Sequence, residues 1–258
     1  MPNDERVFPL NFWLRKMPAL KPHQRLLAAL DTDDVKAATK LVRQLKGLVG
    51  GVKVGKEFFT ANGPQGVKKI TALGMPLFLD LKFHDIPNTV AQAVRAATAL
   101  APLMLNVHAG GGAAMMTAAA KAARAAAKEF GVTRPWVLGV TVLTSMSADD
   151  LAATGVRKGS VQSQVLRLAQ LAQDCKLDGV VCSPREVTAL RKAMGKKFKL
   201  VVPGIRPTWA AANDQKRIMT PAKAIACGAD YLVIGRAITS AKDPVKAAQR
   251  IVDEIEAG

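Results

Sequence analysis

Short apolar or β-branched runs alternate with longer helical segments from Arg25 to the C-terminus. Eight runs read as strands: RLLAALD (25–31), GVKVG (51–55), PLFLDLKF (76–83), LMLNVHA (103–109), WVLGVTVLT (136–144), DGVVCS (178–183), KLVVPGIR (199–206) and DYLVIGR (230–236). Helix start signals lie between them. Asp33 or Asp34 can cap the first helix, Pro184 sits early in PREVTALRKAMG, and Asp243–Pro244 opens the last. Eight βα units in 258 residues predict an α/β protein with one (β/α)8 TIM barrel. Asp31, Lys53, Asp80 with Lys82, His108, Thr144, Ser183, Arg206 and Arg236 fall at or near strand C-terminal ends, the face on which a barrel builds its site. An open doubly wound sheet also gathers ligands at strand C-termini, so the count of eight decides for the barrel.

The third run breaks its own apolar pattern. Alternation puts Phe78, Asp80 and Lys82 on one face and Leu79, Leu81 and Phe83 on the other. The apolar set suits the helix layer, which leaves Asp80 and Lys82 pointing into the barrel near its mouth. An ion pair that merely fixes packing is one reading, but desolvation can cancel its Coulomb gain. Two ionised side chains at a barrel mouth are better explained by function. Asp85 precedes Ile86–Pro87 and a helical run, so it also reads as a helix cap. His84 and His108 lack a second His at ligand spacing and read as hydrogen-bonded structural histidines.

A second constellation is late in the chain. VVPGIRPTWAAANDQ (201–215) ends strand seven in a polar loop, and Gly235–Arg236 ends strand eight before a helix. Loops after strands seven and eight are the usual phosphate site of such barrels, where backbone N–H groups and an Arg fork hold the dianion. Gly235 lets the backbone approach closely.

Composition narrows the class. With 49% hydrophobic residues the chain is globular, and the formal charge of +17 calls for nucleic acid, an anionic surface or an anionic substrate as partner. The densest basic cluster, Arg191, Lys192, Lys196, Lys197 and Lys199, reads as a solvated helix end, without any DNA-binding motif or stacking aromatics. Three cysteines without a C-x-x-C spacing suggest buried free thiols in a reducing compartment. No apolar run is long enough for a bilayer, since Lys121, Arg124 and Lys128 interrupt the Ala-rich stretch 112–130. Residues 1–24 read as a cytoplasmic extension rather than a signal peptide, with Phe8, Phe12 and Trp13 docking on the single barrel domain of residues 25–258.

From about Arg25 onward the chain resembles the bacterial form of the orotidine 5′-phosphate decarboxylase family. The resemblance is carried by ALD (29–31), KVGKEFF (53–59), DLKFHDIPNT (80–89), NVHAGGG (106–112), VTVLTS (140–145), DGVVCS (178–183), PGIR (203–206), ANDQ (212–215) and VIGRAIT (233–239). It implies that Asp31 and Lys53 hold the ribose hydroxyls, with Lys53 also contacting Asp80. Asp80 would sit beside the substrate carboxylate and Lys82 would donate the proton. Asp85 and Thr89 would reach into the partner's site in a homodimer with shared active sites. Thr144 would contact the pyrimidine, and Arg206, Gln215, Gly235 and Arg236 would surround the phosphate. Lys56 and the N-terminal extension stand outside the motif.

The implied reaction is cofactor-independent decarboxylation of orotidine 5′-phosphate to UMP in a cytoplasmic enzyme, with no metal and no nucleic-acid or membrane partner. Without a covalent electron sink, the C6 carbanion needs a preorganised cation nearby, which is Lys82. Flanking carboxylates favour its charged ammonium, the opposite of what a Schiff-base lysine requires. Two rivals remain: a Mg²⁺-dependent hexulose-phosphate synthase with the same D-x-K motif, and a basic nucleic-acid-binding protein. The first would need extra carboxylates at strand ends, and the second leaves Asp80, Lys82 and Asp85 unexplained.

Overall fold

The structure is a computed structural model that describes residues 20–156, 159–210 and 219–258. Gln215 and the aromatic residues Phe8, Phe12 and Trp13 lie outside the described residues.

Eight parallel strands close into a barrel in sequence order. They are β1 (Leu26–Leu30), β2 (Gly51–Val54), β3 (Leu77–Phe83), β4 (Met104–His108), β5 (Trp136–Val140), β6 (Gly179–Val181), β7 (Lys199–Val202) and β8 (Tyr231–Ile234). The helices are α1 (Val35–Leu45), α2 (Lys56–Thr71), α3 (Pro87–Thr98), α4 (Gly112–Phe130), α5 (Ala148–Ala153), α6 (Val161–Asp174), α7 (Val187–Met194), α8 (Pro221–Ala226), α9 (Arg236–Thr239) and α10 (Pro244–Glu256). The (β/α)8 expectation holds, although the predicted strands five, seven and eight run past the observed ones. Thr141–Thr144, Pro203–Arg206 and Gly235–Arg236 leave the ladder and form the βα loops of the mouth.

Two apolar clusters separate the barrel interior from the layer beneath the helices. Leu27, Ala29, Phe78, Met104, Leu138, Val201, Tyr231 and Val233 fill the interior. Leu79, Leu81 and Phe83 belong to the other cluster, packed toward the helices, as the alternation along β3 requires. Asp34 caps α1 by accepting from the N–H groups of Lys36 and Ala37, and Asp243 caps α10 through Lys246 N–H.

At the N-terminal face of the barrel two Arg–Asp clamps tie the βα repeats together. Arg134 grips Asp178 with two bonds of 2.8 and 2.7 Å, while Asp178 also accepts from Val137 N–H at 2.9 Å. Arg191 donates to Asp230 at 2.6 Å and to the Gly228 and Phe198 carbonyls, and Asp230 accepts from Leu200 N–H at 2.8 Å. Arg191 is therefore not part of a solvated basic face, because its guanidinium is committed to the Gly228 and Phe198 carbonyls and to the Asp230 carboxylate. Leu20 packs on the interior cluster from the same end, so the chain enters opposite the mouth.

Candidate active site

The mouth is built from consecutive strand ends. Lys53, on β2, is held by Asp31 at 3.0 Å and lies 3.4 Å from Asp80 Oδ2 on β3. Lys82 reaches back along its own strand to Asp80 Oδ1 at 2.6 Å. Four of the charged residues expected at the mouth thus form one chain, Asp31–Lys53–Asp80–Lys82. Lys53 and Asp80 are each only 9% exposed, while Asp31 stands at the solvent edge.

Burial acts to raise the Asp80 carboxyl, but the charges of Lys53 and Lys82 and the hydrogen bonds from Lys82 and Asn106 outweigh it. The carboxyl is held below its ordinary value, so it is an anion at neutral pH.

Lys82 adopts a positive φ of 53°, in the left-handed region that costs a non-glycine residue roughly 1–2 kcal/mol. Regular alternation therefore does not by itself position its ammonium. The β3–β4 register is broken between Leu79 and Phe83, and Lys82 sits in that break. Asn106, fully buried on β4, donates from Nδ2 to Asp80 Oδ1 at 2.7 Å and accepts the Lys82 backbone N–H at 2.8 Å. Sequence reasoning did not single out this residue. Its signal was an Asn inside the otherwise apolar run LMLNV, since a buried carboxamide must find partners.

A cavity of about 200 Å³ opens above Lys53, Asp80 and Lys82. Val140, Val142, Val181 and Val233 make its walls apolar, and Thr144 lines it from the loop after β5. An adjoining cavity of about 150 Å³ is bordered by Asp31, Lys53, Lys56, Glu57, Asp80 and Lys82. The same charged chain faces both spaces, so an apolar-walled space and a polar one share one charged floor. Cys182 also borders the larger cavity, and burial pushes its thiol up, which makes it an unreactive wall.

Gly235 stands close to Asp31: a Cβ added there would lie in ordinary van der Waals contact, 3.4 Å from Asp31 Oδ2 and 3.5 Å from Ala29 Cβ. Arg206 follows β7, its N–H bonded to the Met219 carbonyl at 3.1 Å, and Arg236 opens α9 directly after Gly235.

Asp85 does not cap α3 in the way the sequence suggested. The helix starts with Pro87, and among the described residues the Asp85 carboxylate accepts only from the neighbouring Ile86 N–H, at 2.6 Å. Asp85, Ile86, Pro87 and Thr89 are all exposed beside the mouth, with Ile86 66% accessible. His84 and His108 are not hydrogen-bonded among the described residues. Their rings pack on each other with centroids 5.4 Å apart, and burial followed by the nearby His84, Lys56 and Lys82 lowers His108, favouring the neutral ring. No group of three or more His, Cys, Asp or Glu able to hold a metal ion occurs among the described residues. No helix among them is long and apolar enough to cross a membrane.

The ring-sized apolar cavity over an ammonium and a carboxylate agrees with what the chain is similar to. A protein from Rhodospirillum rubrum named orotidine 5′-phosphate decarboxylase is 57% identical over 89% of this chain and 93% of its own length. One of the same name from Paramagnetospirillum magneticum is 53% identical over 88% of this chain and 96% of its own. The crystal structure of the Lactobacillus acidophilus orotidine 5′-phosphate decarboxylase superposes with a TM-score of 0.79 at 38% identity, covering 89% of this chain and 98% of that one. The model of the orotidine 5′-phosphate decarboxylase / HUMPS family matches residues 24–251, and the chain belongs to that family.

Proposed function

We propose that this protein is an orotidine 5′-phosphate decarboxylase that forms UMP without a cofactor. The observation that carries the reading is the Lys82 ammonium, held 2.6 Å from an anionic Asp80 at the floor of an apolar cavity. The bond from C6 to the carboxylate carbon breaks and CO₂ leaves. Its electron pair stays on C6, and a proton from Lys82 is transferred to that carbon. The resulting neutral lysine regains a proton from water. Stabilisation by a preorganised charge in a dry cavity is worth far more than in bulk solvent, and one such group contributes roughly 10²–10³ in rate.

The other roles follow the family pattern. Asp31 and Lys53 hold the ribose hydroxyls, Thr144 contacts the pyrimidine, and Arg206, Gln215, Gly235 and Arg236 take the phosphate. Asp85 and Thr89 complete the site of the partner in a homodimer, which gives the exposed Asp85–Thr89 segment an occupant. The three unpaired cysteines suit the reducing cytoplasm. The test follows the loss of orotate-ring absorbance with orotidine 5′-phosphate, for the wild type and Lys82→Ala, with and without EDTA. Turnover by the wild type alone, indifferent to the chelator, is the expected result. An inactive wild type or a fully active variant would sink the assignment, and loss of activity in EDTA would favour the metal-dependent hexulose-phosphate synthases.

A further inference from the structure

We infer that Asn106 is a positioning residue, whose carboxamide replaces the strand-pairing contacts that β3 gives up where it carries Asp80 and Lys82. For the reaction it serves, this rests on the decarboxylase reading above. For its geometry it rests on the β3–β4 register alone.

Between the pairs Leu79↔Leu105 and Phe83↔Val107, β3 advances four residues while β4 advances two. The surplus segment contains both charged residues, and it turns through a left-handed Lys82. Backbone groups in such a segment lose their ladder partners, and a buried N–H must find another acceptor. Asn106 lies on β4 between Leu105 and Val107, opposite the gap. It is 0% exposed, so water cannot substitute for it.

The chemistry of the gap selects the carboxamide. The Lys82 N–H can only donate and the Asp80 carboxylate can only accept, so the bridging group needs an acceptor on one side and a donor on the other. Asn106 supplies both, at 2.8 and 2.7 Å. Aspartate at this position would keep the acceptor but lose the donor, and leucine would fill the space with neither. The carboxamide and the Lys82 ammonium converge on one oxygen, Asp80 Oδ1, which leaves Oδ2 to Lys53. Asn106 therefore fixes the main chain of the proton donor and the plane of its counterion at once. Supporting bonds of this kind keep a reacting group within a fraction of an ångström of its productive place.

The charged and titratable groups around this point are Lys53 on β2, Lys82 on β3, Asp31 after β1, Lys56 and Glu57 at the start of α2, and the His84–His108 pair at the ends of β3 and β4. None of them can replace a donor on the β4 side of Asp80 together with an acceptor for the Lys82 N–H.

The test compares wild type, Asn106→Asp and Asn106→Leu in the full chain, with folding checked by circular dichroism. Both variants should lose roughly tenfold to a hundredfold in kcat, while KM changes less than about threefold. The Asp80 carboxyl, followed by carbon-13 NMR, should titrate at higher pH in both, and further in Asn106→Asp because a like charge replaces the donor. A purely structural asparagine would move neither the titration nor the split between kcat and KM. Folded variants with unchanged kcat and unchanged Asp80 titration would overturn the inference. In the wild type, the Lys82 amide should exchange hydrogen as slowly as the paired amides of β3. Exchange at the rate of an open loop would overturn it without any substitution. A wild type that titrates as expected but fails to decarboxylate the nucleotide would instead remove the functional reading and leave the role of Asn106 in place.

Discussion

The ammonium of Lys82 lies 2.6 Å from Asp80 Oδ1, whereas Lys53 reaches the other oxygen of the same carboxylate at 3.4 Å. One carboxylate thus holds two lysines, and both border the apolar-walled cavity. A cation fixed in this way needs little reorganisation when negative charge develops beside it.

Lys82→Ala should lower kcat by roughly a thousandfold or more, since it removes both the charge and the proposed proton donor. Affinity for UMP, measured by calorimetry, should fall much less, because the proposed ribose and phosphate contacts come from other strands. A variant that keeps a tenth of wild-type turnover would contradict the assigned role.

Asp80 gives a pH dependence with a definite sign. Its carboxyl is held below the ordinary value of about 3.9, so the folded state gains from its ionisation above that pH. That gain is lost as the pH falls through the folded-state value. Urea denaturation across an acid series should show wild-type stability declining below about pH 4, with a shallower decline in Asp80→Asn. Equal slopes for the two proteins would show that Asp80 is not the group responsible.

Arg236→Ala should raise KM for orotidine 5′-phosphate by roughly tenfold to a hundredfold, the value of a charge-assisted hydrogen bond. The reaction of the phosphate-free nucleoside should be insensitive to the same substitution. If the nucleoside reacts with the kcat of the nucleotide in the wild type, binding of the phosphate contributes nothing to the chemical step.

The proposed sharing of sites between subunits predicts complementation. Lys82→Ala and Asp85→Ala homodimers should each be nearly inactive. Equal mixing with subunit exchange should restore about a quarter of wild-type activity, because half the dimers are mixed and each has one intact site. Mixtures that stay inactive while forming mixed dimers would exclude the exchange of Asp85 between subunits.

The face opposite the mouth should affect stability without touching chemistry. Asp178→Ala leaves Arg134 and the Val137 N–H without their shared acceptor, and should cost roughly 1–3 kcal/mol in urea denaturation. The kcat/KM of the folded fraction should be unchanged.

Much of this was legible along the chain. Strand period and helix caps are local properties, so eight βα units, the Asp34 and Asp243 caps and the inward face of β3 could be read directly. The polar residues at strand ends marked the mouth because a barrel directs every parallel strand the same way. The helix-cap reading of Asp85 fails because residue order shows Pro87 at the helix start but not which N–H the carboxylate meets, and it accepts from Ile86 N–H rather than from the first turn.

By itself, the sequence determined the barrel, the strand that carries the charges and the family to which the chain belongs, since periodicity and motif spacing are written in residue order. Only the tertiary structure decided that β3 breaks register at Lys82, that Asn106 from the next strand fills the break, and that Arg191 is half-buried in a clamp rather than solvated. Each of these depends on which groups meet across strands, where a backbone N–H or a guanidinium must find an acceptor that local sequence does not name.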